Sequence, residues 1–218
     1  MTIRHHPDDA TLLSYAAGTL PEALAVAVSA HVALCPRCRH GIRTAETVGG
    51  ALLDSGSAAE IAADALDRAM ARIETRAGGV ATPEPLPDVA DARVPAPLAR
   101  RLGAGLDDIR WRWIAPGVRS HEITVSPGSG SLMLLKIAPG KSMPDHGHGG
   151  TELTMVLDGS YSDETGRYGP GDVADLDESI EHSPMVDSEV DCVCLVALEA
   201  PTRFKGRIAR LLQPYLRI

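Results

Sequence analysis

The chain is 218 residues long, 44% apolar and 23% charged, with a formal net charge of -8. Such a length and balance suit one large domain or two small ones and exclude a disordered or collagen-like chain. The acidic charge argues against a direct nucleic-acid surface, because neutralising phosphates needs a clustered excess of Lys and Arg.

The opening residues, MTIRHHPDDATLLSYAAG, set acids close behind a few bases and contain no apolar core of signal-peptide length. Nowhere do 18 uncharged apolar residues run together, so the expectation is a cytoplasmic protein without membrane contact. A first helix is expected over residues 8–18, carrying Leu12, Leu13, Tyr15, Ala16 and Ala17 and stopped by Gly18. Thr19 then offers a cap to a second helix at residues 21–34, with Leu24, Val26, Val28, His31, Val32 and Leu34 as its broad apolar face. A third starts at Pro36, where a first-turn proline loses no helix hydrogen bond, and runs toward Leu53. The segment EIAADALDRAMARIETR spaces Ile61, Ala62, Leu66, Met70 and Ile73 for a fourth, with Asp64 four residues before Arg68.

Residues 77–97 are rich in Pro, Gly and Ala, lack periodicity, and read as a stiff extended linker. Beyond them the period changes. Short β-rich runs at residues 109–114, 121–125, 131–137, 152–159 and 190–198 are separated by turn signals such as APG, SPGSG, LDG and YGPGD. Many short strands at that spacing indicate a sandwich or barrel. The expected fold class is therefore two-domain α plus β: a helical bundle of about four helices at residues 1–76, a linker at 77–97, and a β-sandwich at 98–218.

Four cysteines, spaced as Cys35/Cys38 and Cys192/Cys194, are too few and too locally paired for a secreted disulfide framework. In HVALCPRC, spacings of four and three put His31, Cys35 and Cys38 on one helical face across the break at Pro36. Thiolate and imidazole together suit Zn²⁺, which takes four N or S ligands in a structural site. His6 is our choice for the fourth, with His5 and His40 as alternatives. A Cys2His2 site of this kind ties the N-terminal arm to the second and third helices, a large gain for so small a core. A thioredoxin-like Cys-x-x-Cys would follow a strand within a βαβ unit, and none is visible ahead of it.

The run HPDDATLLSYAAGTLPEALAVAVSAHVALCPRC resembles the signature of zinc-binding anti-sigma domains. The resemblance implies sequestration of an extracytoplasmic-function-type sigma factor in the cytoplasm. A second resemblance lies in the C-terminal half. Gly140, His146, His148, Glu152 and Gly159 fall at the spacing G-x5-H-x-H-x3-E-x6-G, which is similar to the first motif of the cupin superfamily. In a strand, His146 and His148 share one face because side chains alternate. YGPGDVADLDESIEHSP matches the second motif, with a Pro170-Gly171-Asp172 turn and His182, over a gap longer than the family's shortest pattern. Together these imply a jelly-roll cupin with a 3-His-1-Glu metal set of His146, His148, Glu152 and His182. Oxygen and nitrogen donors accept Zn²⁺, which we take as first choice, and equally fit Fe²⁺, Mn²⁺ or Ni²⁺.

Cys192 and Cys194 alternate with Val193 and so share one strand face. They are oxidation-sensitive if exposed near the metal and inert if buried as small apolar residues. Residues 143–191 hold 13 acids against one base, Arg167, while residues 201–218 hold five bases and no acid. The first run could concentrate cations near the site and the second could pair with it; equally, both fit solvated faces.

A helical H-x3-C-x2-C module joined by a Pro-rich linker to a cupin is similar to the ChrR-type anti-sigma factors. That combination implies a non-enzymatic inhibitor, bound 1:1 to a sigma factor, that lets go in response to singlet oxygen or related oxidants. The alternative is a metal-dependent cupin dioxygenase or oxidase carrying an N-terminal zinc module.

Overall fold

A computed structural model describes residues 2–77 and 91–204. Helix α1, Asp9–Ala16, is capped by Asp8, whose carboxylate accepts from Thr11 N at 2.6 Å. α2, Glu22–Leu34, opens at Pro21 with no side-chain cap, so the cap expected from Thr19 is corrected. Thr19 sits two residues too early, in the turn after Gly18, and its hydroxyl donates back to Ser14 O instead. α3, Pro36–Asp54, begins on its proline as expected, and α4 spans Ala65–Ala77. Among the described residues no helix is long and apolar enough to cross a membrane.

α2 is buried on nearly every side, from Ala23 and Leu24 through Val28 to His31. Its alanines let it approach neighbours closely, and its second face is needed because it is the middle layer. α1 and α3 pack on one side of it, and a β-sheet packs on the other. α4 behaves differently. It starts at Ala65, about one turn later than the periodicity of residues 60–76 predicts, so Ile61 and Ala62 lie outside it, and Leu66, Met70 and Ile73 stay 71%, 48% and 60% exposed. The bundle thus has three packed helices, and the fourth carries its apolar stripe outward.

The sheet has six antiparallel strands in the order β1-β2-β3-β11-β5-β8. These are β1 Arg112–Ala115, β2 Val118–Ile123, β3 Ser131–Ile137, β5 Glu152–Asp158, β8 Val173–Leu176 and β11 Cys192–Leu198. Two small sheets face it: β10-β6-β7, from Met185–Val186, Tyr161–Asp163 and Gly166–Tyr168, and β12-β4-β9, from Arg203–Phe204, His146–Gly147 and Glu181–His182. β11 shows why its sequence is a continuous apolar run. Cys192, Cys194, Val196 and Leu198 face the sandwich interior with Met133 and Leu135, while Val193, Leu195 and Ala197 join Leu24 and Val28 under the helices. The helical layer and the outer face of the sheet therefore share one core. Gly159 closes the β5–β6 turn at φ 68, where a Cβ would stand 2.6 Å from Asp191 O, so glycine is required there.

Of the expected linker, residues 78–90 lie outside the described residues; the part that follows is packed. Val94 is buried, and Ala96–Leu102 forms a further helix, α5, which the Pro-rich composition hid. Arg101 of α5 pairs with Glu22 at 2.5 Å, and Glu22 also accepts from Ser126 N at 2.7 Å. The Ser126 hydrogen bonds and then the Arg101 pairing push the Glu22 carboxyl down to about 2.

Asp91 anchors the same segment. It accepts from Arg93 N, Nε and Nη2 and from Leu106 N, all within 3.0 Å, and Arg93 reaches on to Asp107 and Asp158. The Arg93 bonds hold the Asp91 carboxyl down to about 2, against an ordinary 3.8. A carboxyl lowered on folding stabilises above its unfolded pKa, and that contribution is lost as pH falls through the folded value. Asp91→Ala is therefore expected to lower stability in urea by about 1–2 kcal/mol at neutral pH. The gap from the parent chain should shrink as pH drops from 3.8 toward about 2; a gap that ignored pH would rule out this anchor.

Two candidate metal centres

The structure brings His6, His31, Cys35 and Cys38 together, with one donor atom from each and all four within 4.8 Å of one another. Cys35 is the hinge between α2 and α3, so it and Cys38, one turn later, point back at His31 on the last turn of α2. His31 Nδ1 donates to Gly171 O at 2.9 Å, because a carbonyl can only accept. Its Nε2 is left with a lone pair, 3.2 Å from Cys38 Sγ. His6 Nδ1 lies 3.4 Å from both Cys35 Sγ and Cys38 Sγ. Tetrahedral zinc with its usual bond lengths separates N and S ligands by about 3.5 Å. The cluster fits that ion.

The electrostatics agree with a site built to receive a cation. Burial drives His31 down to about 4, so it stays neutral. Burial, then the Cys35 thiol, raises Cys38 to about 12, so without a cation it stays a thiol. The alternatives for the fourth ligand go elsewhere: His40 is exposed on α3, and the His5 ring packs on Tyr168 with centroids 4.4 Å apart.

The second cluster joins His146, His148, Glu152 and His182, every one buried, again with donor atoms within 4.8 Å. β4 pairs with β9 so that His146 stands opposite His182, and Glu152 opens β5 alongside. The expectation that His146 and His148 share a strand needs correcting. β4 ends at Gly147 and His148 enters the Gly149-Gly150 bend, but its ring still turns into the cluster, 5.3 Å from that of His146.

Tautomers follow from partners that can only accept. His146 Nδ1 donates to Pro144 O at 2.8 Å and His182 Nδ1 donates to the Asp163 carboxylate at 2.8 Å. Both Nε2 atoms then carry lone pairs, and they face each other at 3.1 Å. Two lone pairs held that close repel unless a cation lies between them. His148 is buried without a hydrogen bond: Nδ1 is 3.0 Å from Glu152 Oε2 but misaligned, and neither ring nitrogen is satisfied. Burial raises the Glu152 carboxyl, but His148, His146 and His182 outweigh it and leave the group below its ordinary value. An anionic carboxylate among imidazoles fits a divalent cation in charge as well as shape.

Beside the cluster is a largely apolar cavity of about 60 Å³, which His146, Glu152 and His182 line together with Met133, Tyr161, Cys192 and Cys194. By volume it has room for a few waters or one small molecule. The two cysteines are fully buried, with their sulfurs 3.6 Å apart. The Cys192 contact and then burial push Cys194 well up, which keeps it a neutral thiol. Asp163 is a functional candidate that motif spacing could not flag: it lies in a polar hairpin turn like many others, and only the fold brings it to His182. The basic run at 205–218 lies outside the described residues.

Comparison with known proteins covers both halves. Residues 11–39 match a zinc-finger family model, and residues 100–201 match that of the ChrR Cupin-like domain. The anti-sigma-E factor ChrR of Cereibacter sphaeroides is 42% identical over 218 residues, covering 100% of each chain. The crystal structure of Rhodobacter sphaeroides SigE in complex with the anti-sigma ChrR aligns with a TM-score of 0.76 at 40% identity. That alignment covers 90% of this chain and 99% of the other.

Proposed function

This chain belongs to the ChrR family of anti-sigma factors, and from that premise we propose that it withholds one extracytoplasmic-function-type sigma factor from RNA polymerase in a 1:1 complex. An oxidant of the singlet-oxygen kind, registered at the cupin cluster, ends the complex. Residues 1–76 are the sigma-binding unit and residues 98–218 the sensing unit, and the exchange takes place in the cytoplasm. The role is regulatory rather than catalytic.

The observation that carries this reading is the uncovered apolar surface of the helices. Leu66, Met70 and Ile73 on α4, with Val48, Leu52 and Leu53 near the end of α3, are 48–81% exposed. Apolar residues at helical spacing that find no core in their own chain mark a partner surface. His6, His31, Cys35 and Cys38 would hold Zn²⁺, which supplies a redox-inert tetrahedral brace and so keeps α2 and α3 in register. His146, His148, Glu152 and His182 would hold a second divalent ion, which we take to be Zn²⁺.

The test is a triple substitution, Leu66→Ser, Met70→Ser and Ile73→Ser, in the full chain, with affinity for a cognate sigma factor read by calorimetry. Buried apolar anchors are each worth about 1–2 kcal/mol or more at an interface, so binding should weaken about 100-fold or more. The melting temperature should hold, because these side chains cover nothing in the free chain. Parental affinity in the triple variant would remove the surface from the interface and the reading with it.

A further inference from the structure

The two ligand clusters lie in different layers, yet one short stretch of the cupin touches both. On the cupin side, Asp163 Oδ2 accepts from His182 Nδ1, and the side chain is wholly buried. Its Oδ1 accepts from Thr165 N at 2.8 Å, Thr165 Oγ1 at 2.6 Å and Gly166 N at 3.1 Å. Since the Thr165 hydroxyl donates to a carboxylate, the 2.8 Å bond between it and the Tyr168 hydroxyl must be donated by Tyr168. That fixes the Tyr168 ring, which stacks on Tyr161 in the cavity wall at 5.0 Å.

On the helical side the same ring holds His5, the residue beside ligand His6. Gly166 lets the hairpin approach that closely: a Cβ there would stand 3.2 Å from His5 Cε1. The following turn continues the seam. Arg4 N and His5 N donate to Asp172 Oδ1, Val173 N donates to His5 O, and His31 Nδ1 donates to Gly171 O. Residues 163–173 thus grip one ligand of the cupin cluster directly, and in the helical cluster they bear on His31 and on His5, the neighbour of ligand His6.

We propose that this segment makes metal retention at the two clusters interdependent, with Asp163, Tyr168 and His5 as positioning residues. Filling the cupin cluster fixes the His182 ring and, through Asp163, the hairpin; the hairpin fixes Tyr168, against which His5 and hence His6 are set. Such a coupling is reciprocal, so each cluster then holds its ion more firmly when the other is filled. The sequence pair His5-His6 is accounted for on these terms: one histidine binds, and its neighbour is the handle. The proposal rests on the reading that both clusters take metal.

Full-length chain loaded with Co²⁺ alone tests it, because thiolate charge-transfer absorption reports the helical cluster, whose ligands include sulfur, apart from the cupin cluster. Metal analysis comes first: two ions per chain, and one in His148→Ala. Another count overturns the two-centre reading and the proposal with it. With the count in place, the EDTA concentration that half-removes the thiolate band should fall about five-fold or more on going from the parent to His148→Ala. In a His5→Ala background, where His5 is no ligand and only half-buried, the same comparison should shift less than about two-fold. Asp163→Asn, which keeps the shape but weakens the grip on His182, should also collapse the difference. An equal shift with and without the His5 ring, or none in the parent, would leave the two-centre reading standing and overturn the link.

Discussion

Cys35→Ala together with Cys38→Ala is expected to unfold the helical layer and abolish sigma binding, the largest effect of any pair of substitutions in the chain. Structural zinc sites contribute about 10–16 kcal/mol of apparent binding free energy, as much as the whole stability of an ordinary domain. Here that energy joins the N-terminal arm, α2 and α3 at one point, and α3 has little other core of its own, since it buries only Cys38 and Ile42. The consequence does not stop at the helices. α2 covers Leu153, Met155 and Leu195 on the outer face of the sheet, so its loss uncovers part of the cupin core. The double variant, or the parent chain stripped by chelator, should bind a hydrophobic dye and be cut by protease within residues 1–76. Zinc uptake should release protons, because the buried Cys38 thiol stands near 12 without a cation, and affinity should therefore rise with pH through the neutral range. A double variant that resists protease and still inhibits its sigma factor would show that the ion braces nothing.

Local chemistry made much of this legible before any fold was seen. The first three helices follow from glycine stops, a first-turn proline and 3.6-residue spacing, and the central strands from runs such as SLMLLKI that no helix face explains. Both ligand clusters were legible because a metal demands particular residue types at spacings that secondary structure can fold together. What stayed hidden was tertiary. Thr19 has the chemistry of a cap but sits two residues early, while Glu22 spends its carboxylate on Ser126 and Arg101, some 80 to 100 positions away. α5 is seven residues long, with prolines at its cap and in its first turn, too short to show a period. The amphipathic pattern of α4 announces a helix without saying whether its apolar face meets its own chain or another. Asp163 and Tyr168 carry no spacing signal, since what matters about them is a partner 19 residues downstream and another at the far end of the sequence.

His146→Ala with His148→Ala is expected to leave the sigma complex intact but nearly deaf to oxidant. The cluster lies in the sandwich interior, on the opposite side of the sheet from the helices, so its loss does not touch the exposed stripe of α3 and α4. The size of the response in the parent chain can be bounded. A coupling between two sites is typically about 1–3 kcal/mol, so oxidation at the cupin cluster should raise the dissociation constant about 5- to 150-fold. Turning a complex from 99% bound to 99% free needs about 5.5 kcal/mol, beyond what such coupling supplies. On the proposed reading, release would then need a sigma factor present only a little above its dissociation constant, or removal of the loosened inhibitor. Measured by calorimetry before and after exposure to a photosensitiser in light, the parent should weaken within that window. With zinc in excess, so that the helical cluster stays filled, the double variant should shift by less than about two-fold, with its starting affinity unchanged. A double variant that loosens as the parent does would move the sensor out of the cupin cluster, and one that fails to bind at the outset would mean that the shared core carries more of the fold than the ligand does.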